Sequence, residues 1–344
     1  LDAAHALYQK VLKIRPKHPD TLQLMGTLAL QRGQYADAID WIQRSLKLNG
    51  RNASAWNNLG LSYKKLGRFE EALGAFDRAL AVQKDLSDAL FNRASVLAEL
   101  GRFEDANNMY DRLLAVAPSD AELHFRKARV LAASNEAASA LASYRQAIAL
   151  DPNHVEALTA RAVLLSETKQ TALALQDFEK VVQLAPAQPS AHSNLGNALS
   201  DVGRVGEALV CYAKALALDP QFVDAHFNTG VVRQAQRQIE AAIAAYKTAV
   251  AIDPEHVFAQ WNLGLCQLMS GDLLNGWKQY EWRWKNPQLD VYQERRMFSV
   301  PRWDGTQDLA GKTLLLYSEQ GLGDTIQFCR YADLAAQRGA KVIL

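Results

Sequence analysis

At 344 residues the chain is longer than one compact core usually organises, which leaves two domains or a repeat array. Apolar residues make up 49% and charged residues 22%, and the apolar ones are too often interrupted for a membrane span. The balance of 38 Lys and Arg against 37 Asp and Glu gives none of the basic excess that nucleic acid or an acidic membrane selects.

The cysteines Cys211, Cys266 and Cys329 are far apart and fit no metal or disulfide spacing, which points to a reducing, cytoplasmic compartment. No signal peptide is present. The chain opens in mid-helix at Leu1 without a methionine, so the natural N-terminus is expected to lie upstream and an exported origin stays open.

From the first helix onward, residues recur every 34 positions. Proline stands at 16, 118, 152, 186, 220 and 254, with Gly50 and Lys84 at the two vacant points of that grid. One column of small residues runs Gly26, Gly60, Ala94, Ala128, Ala162, Gly196, Gly230 and Gly264. A second runs from Ala4 through Ala38 and Ala72 to Gly276. Four residues after each member comes a large side chain, among them Tyr8, Ile42, Phe76, Tyr110, Tyr144 and Tyr280. This spacing predicts two helices per unit, A and B, with the small residues permitting close approach and the aromatic filling the space between neighbouring hairpins. Gly33, Gly67, Gly101, Gly203 and Gly271 fall between A and B, where a left-handed cap is needed. Asn135 suits that conformation, Lys169 and Arg237 less so. A single hairpin cannot bury its own apolar faces, and stacking makes one core.

These columns, with Trp56-Asn57-Asn58-Leu59-Gly60 as the clearest local signature, resemble the tetratricopeptide repeat. The resemblance implies an all-α solenoid, a right-handed superhelix of helical hairpins. It comprises a leading half-repeat (1–18), seven regular repeats (19–256) and a degenerate one (257–290). A protein or peptide partner in its concave groove is the expected function, with self-association as the alternative and with no nucleic-acid or membrane partner.

Counting each repeat from Pro19, Ala53, Ser87 and so on, positions 4, 7, 8 and 11 of helix A face the core. At 100° per residue, positions 2, 6, 9 and 13 face the opposite way. Position 6 holds Asn58, Asn92, Asn194, Asn228 and Asn262, with Leu24, Arg126 and Ala160 as the exceptions. Asparagine is a mediocre helix former, and its amide pairs with both the N–H and the C=O of a bound backbone. Packed helices lie ~8–10 Å apart and an extended chain advances ~3.3 Å per residue, so one asparagine would meet about every third ligand residue. The arrangement resembles the asparagine ladder of O-linked N-acetylglucosamine transferase, carried over onto those five residues. A solvated polar stripe is the other reading. Position 2 is acidic or hydroxylic from Asp20 to Asp224, which complements the positive end of helix A and also favours basic ligands. His124, His192 and His226 share position 4, while His18, His154 and His256 close their units. Such spacing cannot converge on one metal, and none is expected.

After Gly276 the grid dissolves. Trp277, Tyr280, Trp282 and Trp284 are expected to cover the end of the repeat stack. A linker (291–311) leads to Thr313–Ser318, which reads as a buried strand, then a glycine-rich loop, a helix to about Gln337, a stop at Gly339 and a second strand from Lys341. This is an incomplete, Rossmann-like α/β segment (312–344). The runs Tyr280-Glu281-Trp282-Arg283-Trp284, Pro301-Arg302-Trp303-Asp304-Gly305 and Glu319-Gln320-Gly321-Leu322-Gly323-Asp324 are similar to a bacterial family. That family joins tetratricopeptide repeats to a glycosyltransferase domain of two Rossmann-like halves (GT-B), related to heptosyltransferases. The resemblance implies Asp324 as general base for an acceptor hydroxyl, with Gly321 and Gly323 admitting substrate to backbone N–H groups. Asp324 with Gln327 also reads as a capping box. The donor of that family, a nucleotide sugar, binds mainly the C-terminal half. The present chain is therefore expected to hold no cofactor and to be inactive by itself, whatever the full-length protein does.

Overall fold

The computed structural model describes residues 1–289, 300, 301, 303, 305–316 and 329–343. Two compact units form, Leu1–Arg204 and Val205–Leu344.

The first unit opens with α1 (Asp2–Ile14). A/B pairs follow: α2 (Pro19–Gln31) with α3 (Tyr35–Leu48), α4 (Ala53–Lys65) with α5 (Phe69–Val82), and α6 (Ser87–Glu99) with α7 (Phe103–Val116). Next come α8 (Ala121–Ala133) with α9 (Ala137–Leu150), α10 (Val155–Glu167) with α11 (Thr171–Leu184), and finally α12 (Pro189–Asp201). In the second unit lie α13 (Val205–Leu218), α14 (Val223–Ala235) with α15 (Ile239–Ile252), and α16 (Val257–Met269) with α17 (Leu273–Tyr280). Within each unit successive helices pack on one another in chain order, which is the α-solenoid architecture.

The 34-residue columns explain the packing. The alanines of the second small column, from Ala38 to Ala242, are fully buried. The large residue four places on packs against the small residue of helix A in its own hairpin. A Cβ added at Gly60 would sit 2.5 Å from the Phe76 ring, and one at Gly230 would sit 2.5 Å from the Tyr246 ring. The aromatic thus fills space inside its hairpin, a correction to the expectation that it fills the gap between hairpins. The reason is geometric: positions 8 and 24 face each other across the A/B turn.

That turn is the same throughout. Gly33, Gly67, Gly101, Gly203 and Gly271 have φ between +72° and +87°, and Asn135, Lys169 and Arg237 adopt φ of 62°, 62° and 59° at the equivalent place. The following amide closes back on the carbonyl at position 11, as in Arg102 N–H to Leu97 at 2.8 Å and Gln170 N–H to Leu165 at 2.8 Å. Lys169 and Arg237 hold the left-handed conformation because the surrounding helices impose it.

At the C-terminal end of the repeats, a 3-10 turn (Glu281–Lys285) packs on α16. Trp284 is buried there and Trp282 half-buried, but Trp277 is 54% exposed, so only part of the aromatic group acts as a cover. Further on, β1 (Thr313–Leu315) pairs in parallel with β2 (Lys341–Ile343), and α18 (Ala332–Gln337) and the Gly339 turn precede β2. Of the strand expected over Thr313–Ser318, the described part is not buried: Thr313 and Leu315 are exposed and Leu314 and Leu316 are half-buried, while 317 and 318 lie outside the described residues. Among the described residues, two short strands and one short helix offer too little apolar surface to close a core over a sheet.

Candidate peptide-binding face

Several A helices are capped by their own sequence, while α6, α12 and α14, which follow Leu86, Gln188 and Phe222, have no side-chain cap. Where there is a cap, it is the residue closing the previous repeat: Asn52 accepts from Ala55 N–H at 2.9 Å, Asp120 from Leu123 at 3.1 Å, and His256 Nδ1 from Ala259 at 3.0 Å. His18 and His154 do the same toward Thr21 and Ala157. Position 4 reaches back six residues to the carbonyl at the proline position. Trp56 Nε1–H donates to Gly50 at 2.9 Å, and His192 Nε2–H to Pro186 at 2.9 Å. His124 bonds Pro118, His226 bonds Pro220 and Gln260 bonds Pro254 in the same way. Leu22, Leu90 and Leu158 at this position cannot donate, and beside Leu90 it is Arg112 that bonds the Lys84 carbonyl. Six of the seven histidines are therefore helix caps and turn ties, and His5 bonds Gln9 within α1. Among the described residues no three His, Cys, Asp or Glu side chains converge on a metal position.

Position 6 falls at the same place in every A helix. All five asparagines are half-buried there. In the first unit, Asn58 Nδ2 donates to Thr27 Oγ1 on the preceding A helix at 3.1 Å, and Asn92 Nδ2 donates to Asn57 Oδ1 at 3.1 Å. One donor of each amide therefore ties adjacent A helices together. Arg126 bonds Glu122 and lies 5.7 Å from the Phe91 ring centroid, while Glu122 also meets His154 Nε2 at 3.3 Å. This ion-paired cluster and Ala160 interrupt the asparagine column. Asn194 has no side-chain partner among the described residues; in the second unit the same holds for Asn228 and Asn262.

Position 2 is exposed at Asp20, Ser54, Asp88, Glu156 and Asp224, at the N-terminal end of each helix where a carboxylate is favourable. The histidine caps and the position-4 ties do not emerge from the sequence pattern. Their signal is the recurrence of mixed Trp, His and Gln at one position that the helical wheel assigns to the core. Asp324, Gly321 and Gly323 lie outside the described residues.

Hairpins of fixed length, tied end to end and presenting one repeated polar group, define a helical-repeat scaffold. The chain is a tetratricopeptide-repeat protein. Tetratricopeptide-repeat family models match residues 51–119, 91–154, 143–176, 193–255 and 232–275. A model described as anaphase-promoting complex, cyclosome, subunit 3 matches residues 1–79. No curated protein sequence matches significantly. Among solved structures, a tetratricopeptide repeat protein from Parabacteroides merdae ATCC 43184 is 19% identical with a TM-score of 0.57, covering 72% of this chain and 98% of that one. The APC/C hetero-tetramer Cut9-Hcn1 is 17% identical with a TM-score of 0.52, covering 76% of this chain and 51% of that one. MamA from Desulfovibrio magneticus RS-1 is 18% identical with a TM-score of 0.47, covering 49% of this chain and 96% of that one. No helix among the described residues is long and apolar enough to cross a membrane.

Proposed function

We propose that the chain is a scaffold whose A helices hold extended segments of a protein partner, with Asn58, Asn92 and Asn194 in the first unit and Asn228 and Asn262 in the second reading its main chain. The observation that carries this is the recurrence of asparagine at one half-buried helical position, three members of which have no partner among the described residues. Asn58 and Asn92 each retain a carbonyl oxygen for a ligand N–H after tying their neighbours. Five such bonds at ~1 kcal/mol net cannot offset ordering a dozen ligand residues at ~1–2 kcal/mol each. The asparagines therefore set direction and register, and side-chain contacts supply affinity. The structurally similar Cut9-Hcn1 is a hetero-tetramer, and a fold that serves in a protein complex there accords with a protein partner here. The test is affinity for a peptide selected on the intact chain: replacing all five asparagines by alanine should weaken it at least tenfold, and replacing only Asn194, Asn228 and Asn262, which break no tie between helices, should weaken it without lowering thermal stability. Unchanged affinity sinks the reading.

A second reading concerns the C-terminal segment. The parallel pairing of β1 with β2, with α18 just before β2, supports a strand–helix–strand of Rossmann type. On the resemblance drawn from its sequence, a longer protein would use the repeats to recruit an acceptor and would transfer a sugar from a nucleotide-sugar donor, with Asp324 as general base. The family matches above end at residue 275, so this reading rests on the sequence motifs. A longer version with no activity on nucleotide sugars would remove the enzyme reading, and full activity of Asp324→Asn in an active longer version would remove the general-base role.

A further inference from the structure

The A face changes chemistry within the second unit. Position 2, acidic or hydroxylic in every preceding repeat, is Phe258 in α16. Phe258 lies 6.5 Å, centroid to centroid, from Phe227 at position 5 of α14, and the His256 ring lies 4.9 Å from Phe227. Position 9 is Val231 and Leu265, and position 13 of α16 is Met269; Val231 is 40% exposed and Met269 62%. Trp261 joins them at position 5 of α16, its Nε1–H buried and without an acceptor. The same positions of α2 are Asp20, Gln23, Thr27 and Gln31. Single apolar residues occur at these positions elsewhere, as Phe91, Phe125 and Val163, and α14 keeps Asp224 at position 2, but α16 is apolar at positions 2, 5, 9 and 13 together, beside Asn228 and Asn262, whose amides have no partner among the described residues.

Apolar side chains alone do not say what covers them, but here they flank two main-chain-reading amides on consecutive A helices. That juxtaposition suits an extended strand with one large apolar side chain between its hydrogen-bonded peptide groups. We propose that the C-terminal end of the A face is the anchor site of the bound polypeptide, where an aromatic or large aliphatic ligand side chain seats against Phe227, Phe258 and Leu265. The anchor rests on the peptide-binding reading above and supplies the side-chain contact which that reading requires. Burial of one such side chain in a well-packed pocket is the usual source of affinity in recognition of this kind.

Phe258→Asp is a suitable probe because Asp20, Asp88 and Asp224 occupy the same place in other repeats, so the variant keeps a residue the fold accepts. A display library of random dodecamers selected on the intact chain should enrich peptides with an aromatic or large aliphatic residue at one fixed place. A synthetic peptide of the enriched sequence should lose at least tenfold in affinity on Phe258→Asp, with the thermal midpoint unchanged. Alanine at the ligand's apolar residue should cause a similar loss, and Phe258→Asp should then add little. Enriched peptides with no apolar position, or equal binding by Phe258→Asp, overturn the anchor. If the five-asparagine variant still loses binding in that case, the groove survives and only the anchor fails. Wild-type binding by the five-asparagine variant removes the groove itself. A dimer in light scattering that dissociates on Phe258→Asp, with no peptide enriched, would assign the face to self-association and also overturn the proposal.

Discussion

The imidazole Nε2–H of His192 donates to the carbonyl of Pro186, six residues back and 2.9 Å away. This contact ties the end of one repeat to the first turn of the next helix. Gln260 makes the same bond to Pro254 at 2.7 Å, so the geometry needs a donor of suitable length and not an imidazole. His192→Ala should therefore cost about 1–3 kcal/mol through the orphaned carbonyl and lost packing. His192→Gln should retain most of the stability. Urea denaturation of the two variants measures the difference, and equal losses would refute the tie.

Lys169 and Arg237 hold positive φ where other repeats use glycine. A left-handed conformation costs a residue with a Cβ roughly 1 kcal/mol relative to glycine. Lys169→Gly and Arg237→Gly should each stabilise by about that amount, less the greater entropy of a glycine in the unfolded chain. Gly67→Ala should destabilise, and because no atom lies within 4 Å of the added Cβ the effect would be purely one of backbone conformation. Thermal midpoints of the three variants provide the check.

Burial pushes the Cys266 thiol up to about 11 and the Tyr110 hydroxyl up to about 12. Ionisation is then easier in the unfolded chain, so stability should be fully present below pH 9 and should decline between about pH 9 and 12. The decline begins with Cys266, whose ordinary value is 9.0. Chemical denaturation at stepped pH shows the loss, and Cys266→Ala should remove its earliest part. At neutral pH, Cys266 should resist alkylation until the second unit unfolds.

Much of the fold was legible because its determinants repeat. Gly60 opposite Phe76 and Gly230 opposite Tyr246 are the same pair written again at a fixed spacing, and a period survives any one substitution. What was not legible depended on pairs that vary. The partner of position 4 is a backbone carbonyl, invisible to a side-chain pattern, so Trp56, His192 and Gln260 share a role without sharing chemistry. Similarly, Asn58 and Asn92 stand in one column, yet their acceptors are Thr27 and Asn57 at different positions of the preceding helix. A helical wheel shows which way a residue points and not which neighbour reaches it. The strand at Thr313–Leu315 was apolar in composition, but burial requires covering surface that a local run of sequence does not supply.

The most direct measurement is a crystal structure of the chain with a peptide selected on it. An extended ligand is predicted on the A-helix face, its main-chain groups paired with the side-chain amides of Asn228 and Asn262. A ligand bound to the B helices, or one crossing the A face without meeting those amides, would contradict the account.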